Sequence, residues 1–411
     1  MSAARPPGNG LPDAPTLAAR QLELDRERTS RFPFLLTRKL QRMSASPLAF
    51  LRGAAPLFYE MLKTSPHLAE GPAGEGWLVG DLHLENFGAY RADLSEKDTK
   101  TVFNLNDFDD AIIGPWRFDV LRLTTSLLLG GRELGASGIL ALELSDRMLD
   151  AYTRSAFDGA PIPEQPAPVK ALVEQVRSRP KQALLDARTK LEKNGKRHFI
   201  RGPRYVDLEP AVLAEVPKAF HAYVESLPKE SRPKDSTLDI VDSALRIAGT
   251  GSLGGLRVAV LVEGKGGGWI FDLKEQGDPS ASVVLGAPKM NPAERVATGF
   301  RSCIELPARM IGTTTLNKLP MFGRRLAPQE DKLNYRGLKS QDLPSVATYL
   351  GALLGAAHAR GATKPTKTRW TKPDLAAIRE RAITLAGVHE AVYLALSDRM
   401  RELLPPTVAT S

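Results

Sequence analysis

The sequence predicts an α+β fold of two lobes, a small antiparallel β lobe and a larger, mainly helical one. Three observations carry this. Residues 256–263, LRVAVLVE, set Leu256, Val258, Val260 and Val262 against Arg257, Ala259, Leu261 and Glu263, the period of two of a strand. Apolar residues recur at helical spacing in RFDVLRLTTSLLLGGREL and ILALELSDRMLDAYTRSAF, and again from Leu343 to Ala357. After the second of these helices, prolines at 161, 163, 166 and 168 break the chain and separate the regimes.

The bulk numbers bound the rest. A chain of 411 residues has room for two well-buried cores. Hydrophobic and charged contents of 42% and 25% are ordinary for a soluble domain. No apolar run approaches the roughly 20 residues that span a bilayer. The single cysteine, Cys303, excludes an internal disulfide and a zinc site of several thiolates, and fits a reducing cytoplasm. The net charge of +9 is concentrated in KLEKNGKRHFIRGPR, residues 190–204. It suits an anionic partner, whether nucleic acid, a membrane surface or a phosphorylated substrate, and a solvated basic loop explains it equally well. Aromatic residues are not interleaved through the segment, which argues against nucleic acid.

In chain order, residues 1–30 read as a flexible leader and 31–75 as a helical segment, with Ser46 as cap and Pro47 in the first turn of SPLAFLRGAAPLFYEML. Residues 76–235 read as the core of the large lobe. There GWLVGD is a short buried strand, TVFNLNDFDD a hairpin partner, and 170–230 mostly helical. Residues 236–340 form the β lobe, with three antiparallel strands in ALRIAGTGSLGGLRVAVLVEGKGGGWIFDLKEQ, turning at GKGGG. A helix capped by Asn291 with Pro292 at its start follows, then a strand at KLNYRGL. Residues 341–411 are C-terminal helices that complete the large lobe.

Gly249, Gly251 and Gly254 have G-x-G-x-x-G spacing. A dinucleotide-binding loop of that type opens a helix, whereas here a strand follows, so the loop is a hairpin. A glycine-rich hairpin, with Ser252 within it, lets backbone amides close over phosphates as the glycine loop of protein kinases does. The next strand, WIFDLKE, puts Trp269, Phe271 and Leu273 on one face and Ile270, Asp272 and Lys274 on the other. A lone strand lysine is usually solvated; after a glycine loop, Lys274 occupies the place of a phosphate-pairing lysine. Glu294 is the helical glutamate that would orient it, although three residues after Asn291 it also fits a capping box.

GDLHLENFG, residues 80–88, and NDFDDA, residues 106–111, are the two polar bursts. Phosphoryl transfer uses an aspartate to orient the attacking hydroxyl, an asparagine about five residues later on magnesium, and a second aspartate beyond a hairpin. Asp81 and Asn86 have that separation, with Asp107 or Asp109 as the second ligand. Asp81 and His83 also begin a D-x-H metallophosphoesterase site, which needs further histidines; His67, His198, His221, His358 and His389 stand singly. Asp119 either caps the helix it opens or reaches back to brace the first burst. Lys39, Arg52 and Arg122 carry charges that the sequence does not assign.

GDLHLENFG followed by NDFDDAIIGPWRFDVLRL resembles the catalytic core of aminoglycoside phosphotransferase and choline kinase-like enzymes. The resemblance implies Asp81 as catalytic base, Asn86 and Asp107 as magnesium ligands, Asp109 as an auxiliary one and Asp119 as a structural aspartate. Val79 stands where that pattern has a histidine. More widely, residues 38–362 are similar to the bacterial domain of unknown function 2252 family, through RMSASPLAFLRGAA, AGTGSLGGLRVAVLV, FDLKE, YRGLK and LGALLGAAHARG as well as the two bursts. An ordinary kinase-like chain has its glycine loop first and its catalytic loop later; here the order is reversed. LPSVATYLGALLGAAHARG, 343–361, resembles the helix that leads into the catalytic loop, so joining its end to the segment before Gly80 restores the usual order. The expectation is a circularly permuted, protein-kinase-like, two-lobed fold that binds ATP and Mg2+ and transfers phosphate to a small-molecule or protein acceptor. A nucleotide-binding pseudokinase and a nucleotidyltransferase are the alternatives, and a nucleic-acid-binding protein the weaker one.

Overall fold

A computed structural model describes residues 10–92, 100–193, 195–233, 238–263, 268–364 and 368–403. Among the described residues, four helices come first: α1 (Ala14–Arg28), α2 (Leu35–Met43), α3 (Pro47–Gly53) and α4 (Ala55–Thr64). Asp13 caps α1 by accepting from Thr16 N at 2.9 Å, and Ser46 caps α3 through Ala49 N at 3.1 Å. The stretch read as a leader thus contains a helix, held by buried Leu17, Ala18 and Leu22. Its charged surface hid that stripe.

Next come β1 (Glu75–Leu78), β2 (Phe87–Arg91), β3 (Thr101–Leu105) and β4 (Ile112–Pro115). The helices α5 (Arg117–Glu133), α6 (Gly138–Phe157), α7 (Ala167–Arg177) and α8 (Ala183–Arg188) follow. The 170–230 region is less helical than expected. A hairpin of β5 (Thr189–Leu191) and β6 (Arg197–Phe199) carries the basic segment, and β7 (Tyr205–Val206) precedes α9 (Pro210–Ser226).

After α9 come β8 (Asp239–Arg246), β9 (Arg257–Glu263), β10 (Trp269–Glu275), α10 (Ser282–Leu285), α11 (Pro292–Cys303), β11 (Gly312–Leu316), β12 (Leu319–Leu326) and β13 (Glu330–Lys332). β8, β9 and β10 are antiparallel neighbours, and the whole sheet runs β11-β12-β10-β9-β8-β7. Residues 264–267 of the GKGGG turn lie outside the described residues. KLNYRGL is not a strand beyond Lys332; a 3-10 turn at Tyr335–Gly337 replaces it, because Tyr335 is buried and donates its hydroxyl to Leu84 O at 2.5 Å. β13 instead pairs with β2, next to β3, so the chain leaving the larger sheet returns to the hairpin between the polar bursts. Two long helices, α12 (Leu343–Arg360) and α13 (Lys372–Leu403), close the chain.

The result is an α+β fold with antiparallel sheets and more than one core. Val258, Val260, Val262, Phe271 and Leu273 pack on Val216, Phe220 and Tyr223 of α9, while Ala259, Leu261 and Ile270 face Leu185 and Phe199 on the opposite side of the sheet. The largest core joins α1–α6 and β1–β4 to α11–α13. Beyond α12 the chain pairs with β1: Trp77 N donates to Gly361 O at 2.9 Å and Thr363 N to Glu75 O at 3.2 Å. The end of α12 therefore lies beside the strand that leads into Gly80. Among the described residues, no helix is long and apolar enough to cross a membrane.

Candidate active site

The two polar bursts sit at one end of a hairpin. β2 begins at Phe87 and β3 ends at Leu105, and these two residues are paired; beyond them Asn106 N donates to Asn86 O at 2.9 Å. The pairing register therefore places the last residue of the first burst's polar cluster beside the start of the second. Gly80 joins them from the other side. It has φ +86°, and an added Cβ would lie 2.0 Å from Asp110 O, so only glycine lets the bursts approach.

Asp119 does not cap α5. Its carboxylate reaches back to accept from Val79 N at 2.6 Å and Gly80 N at 2.9 Å, bracing the turn that carries Asp81. The same carboxylate meets His358 Nε2 of α12 at 3.1 Å, and His358 Nδ1 lies 3.0 Å from the Tyr152 hydroxyl. An imidazole from the far end of the chain thus stands at this turn.

A cavity of about 420 Å3 opens above the hairpin. Asp81, Asn86, Asp107 and Asp109 line it, as do Gly249, Gly251, Ser252 and Lys274. The hairpin and the six-stranded sheet thus converge. Gly251 sits where a Cβ would lie 3.5 Å from Asp81 Oδ2, and its carbonyl accepts from Lys39 Nζ at 3.3 Å. Lys39 is itself buried against Asp25 at 2.9 Å, so α1 and α2 anchor the glycine loop.

Asp81 accepts from Arg122 Nε at 3.0 Å and also from its Nη2. Arg122 is fully buried, donates to Leu51 O at 2.8 Å and lies 4.8 Å from the centre of the Phe58 ring. Burial pushes the Asp81 carboxyl up to about 7; Arg122 pulls it down, and Asp110 and Asp107 add to the rise. Asn86 Oδ1 accepts from His83 N at 2.8 Å, and His83 Nδ1 accepts from Glu85 N at 3.1 Å. Burial keeps the His83 imidazole well below its ordinary value, and its ring caps a 3-10 turn instead of serving a D-x-H metal pair.

Burial alone would raise the Asp107 carboxyl, but Lys274, Lys332, Arg324 and Arg257 outweigh it and hold it below the usual value. Lys274 forms an ion pair with Asp109, whose Oδ1 also accepts from Gln276 Nε2 at 3.0 Å. Burial lowers the Lys274 ammonium to about 8, against the raising influence of Asp107.

Two sequence expectations fail. Glu294 is exposed at the third position of α11, where its N–H leans on the Asn291 side chain, and it does not reach the cavity. The helix meets the site through Arg295, which donates to the carbonyls of Ala111, Asp109 and Gly277. Gly254 faces away as well. With φ +111° its Cβ position is 2.3 Å from Arg28 O, so it fits the loop against the end of α1. Sequence reasoning left Arg122 unassigned and missed Arg295, since nothing local marks either one's distant partner.

Among the described residues, no three carboxylates, imidazoles or thiolates converge into a ready-made metal cage. A magnesium ion does not need one, because it keeps several waters and takes one or two carboxylates plus phosphate oxygens. Asp107 and the amide oxygen of Asn86, which has a second lone pair, are such a donor set. Asp109 is paired with Lys274 and is not free to join it in this arrangement.

No curated protein and no solved structure matches this chain. A family model described as an uncharacterised protein conserved in bacteria matches residues 31–405. The chain therefore belongs to the domain of unknown function 2252 family.

Proposed function

We propose that this protein is a Mg-ATP-dependent phosphotransferase with a circularly permuted, protein-kinase-like arrangement. The observation that carries the reading is the convergence, on one cavity, of the glycine loop, Lys274, the Asn86–Asp107 pair and Asp81. Phosphoryl transfer requires mainly positioning and charge neutralisation, and these residues offer both. The permuted order is supported by the pairing of Gly361–Thr363 with β1, since a short connection there would give a conventional element order.

When bound, magnesium would neutralise phosphate charge; Asn86 and Asp107 would hold it. The amides of Gly249 to Ser252 would hold the nucleotide phosphates, and Lys274, once released from Asp109, would pair with them. Asp81, fixed by Arg122 and raised to about 7, takes the proton of the acceptor hydroxyl near neutral pH. A nucleotide-binding regulatory module is the second reading, favoured by the engagement of Lys274 with Asp109 instead of a helical glutamate. Measuring ADP release and nucleotide binding together separates the two. Asp81→Ala should still bind Mg-ATP while losing at least about a hundredfold in turnover, the range of a general base. Wild-type binding with no turnover on any acceptor, and none lost in Asp81→Ala, would favour the regulatory reading.

A further inference from the structure

Beside the cleft lies a larger cavity of about 870 Å3, which shares Arg52, Gly249 and Thr250 with it. Five arginines line it: Arg38 and Arg42 from α2, Arg52 from α3, Arg204 from the basic segment, and Arg336. The acids on its wall are Glu85 and Glu133. Glu85 is taken up by Arg52 at 2.8 Å; Glu133 accepts from Leu48 N at 2.8 Å and stands 3.8 Å from Arg336. Among the described residues, Arg38 and Arg42 bond to carbonyls, those of Pro203 and Gly249, which satisfies donors without cancelling charge.

Among the described residues, Arg38, Arg42 and Arg204 therefore share a concave wall without an ion-paired carboxylate. Burial lowers the Arg42 pKa, and the neighbouring charges of Arg38, Arg204 and Arg52 lower it further. Like charges held together in a partly desolvated hollow are destabilising unless something of opposite sign enters. Guanidinium forks match phosphate and carboxylate oxygens two at a time, and a hollow of this volume holds a small molecule. Leu48, Leu84 and Leu333 give it an apolar floor.

We infer that this second cavity binds a small organic ligand carrying several anionic oxygens, a phosphate ester or a polycarboxylate, on Arg38, Arg42 and Arg204. Its place beside the glycine loop makes the anion a candidate acceptor only if the phosphotransferase reading holds; the binding itself does not depend on that reading.

Calorimetric titration of the full chain with fructose 1,6-bisphosphate and with citrate, neither of which carries a triphosphate chain, without magnesium or nucleotide, tests the inference. Saturable binding is expected for at least one probe, and the tighter one identifies phosphate or carboxylate as the ligand group. Arg38→Gln with Arg204→Gln should weaken it about tenfold or more, and Lys274→Ala should leave it nearly unchanged. No saturable binding of either probe overturns the inference, as does binding that Lys274→Ala abolishes and the arginine pair tolerates. Arg204→Gln alone should melt, without anion, at or above the wild-type temperature because it relieves repulsion. A fall of several degrees would make that guanidinium structural and would also overturn the inference. Since nucleotide is absent throughout, failure here and failure of the phosphotransferase reading are separate results.

Discussion

Asp81 and Lys274 are tuned in opposite directions by the same cause. Burial raises the carboxyl to about 7 and lowers the ammonium to about 8. If Asp81 acts as base it must be deprotonated, which requires pH above its value; if Lys274 pairs with phosphate it must be protonated, which requires pH below its own. The kcat/KM profile, which reports the free enzyme, should then be a narrow bell centred near 7.5, rising through about 7 and falling through about 8. Turnover measured from pH 5.5 to 9.5 checks this, and a flat response between about 6 and 8.5 would contradict it. Asp81, Asn86, Asp107 and Lys274 were legible as site candidates because short motifs with fixed spacing contain them. His358 was not, since 239 residues separate it from Asp119 and only the fold brings them together. Glu294 was misread because one pattern, an acid three residues after a cap, serves both a helix end and a catalytic brace; its exposure decides for the helix end.

Among elements, helices with caps and strands with a clean period of two were readable, and connections were less so. Asn291 caps α11 as its sequence suggests, accepting from Ala293 N at 2.9 Å. The β11–β12 hairpin escaped, although it carries a signal: Asn317 and Lys318 have φ of 50° and 64°, the paired left-handed residues of a tight two-residue turn. The usual Asn-Gly is replaced by Asn-Lys, which weakens the signature. The packing of α6 on α12 also depends on a detail that periodicity does not carry. Gly351 lets α12 lie against the backbone of α6, where a Cβ would sit 2.2 Å from Met148 O. Gly351→Ala should destabilise the protein by about 1–3 kcal/mol, as overpacking does. Gly387, in α13 with open space around its Cβ position, should respond the other way, gaining up to about 1 kcal/mol as alanine. Denaturant unfolding of the two variants checks the opposite signs, and equal shifts would refute the packing argument.

For the whole molecule, chain order held more information than composition. The net charge of +9 did not distinguish a solvated loop from a binding surface; the fold shows that Arg204 of the basic segment joins a lined cavity, whereas the hairpin before it is largely exposed. The end of α12 is paired with β1, the strand that leads into the first polar burst. The central claim is that one cleft, assembled from residues near 81, 107, 249 and 274, holds a magnesium nucleotide. Thermal unfolding with and without Mg-ATP measures it most directly. Nucleotide at a hundred times its Kd should stabilise the wild type by about 2.7 kcal/mol. Lys274→Ala and Asp107→Ala should each lose most of that shift, and the wild type should lose it when magnesium is chelated. A wild type that millimolar Mg-ATP leaves unshifted would contradict the account.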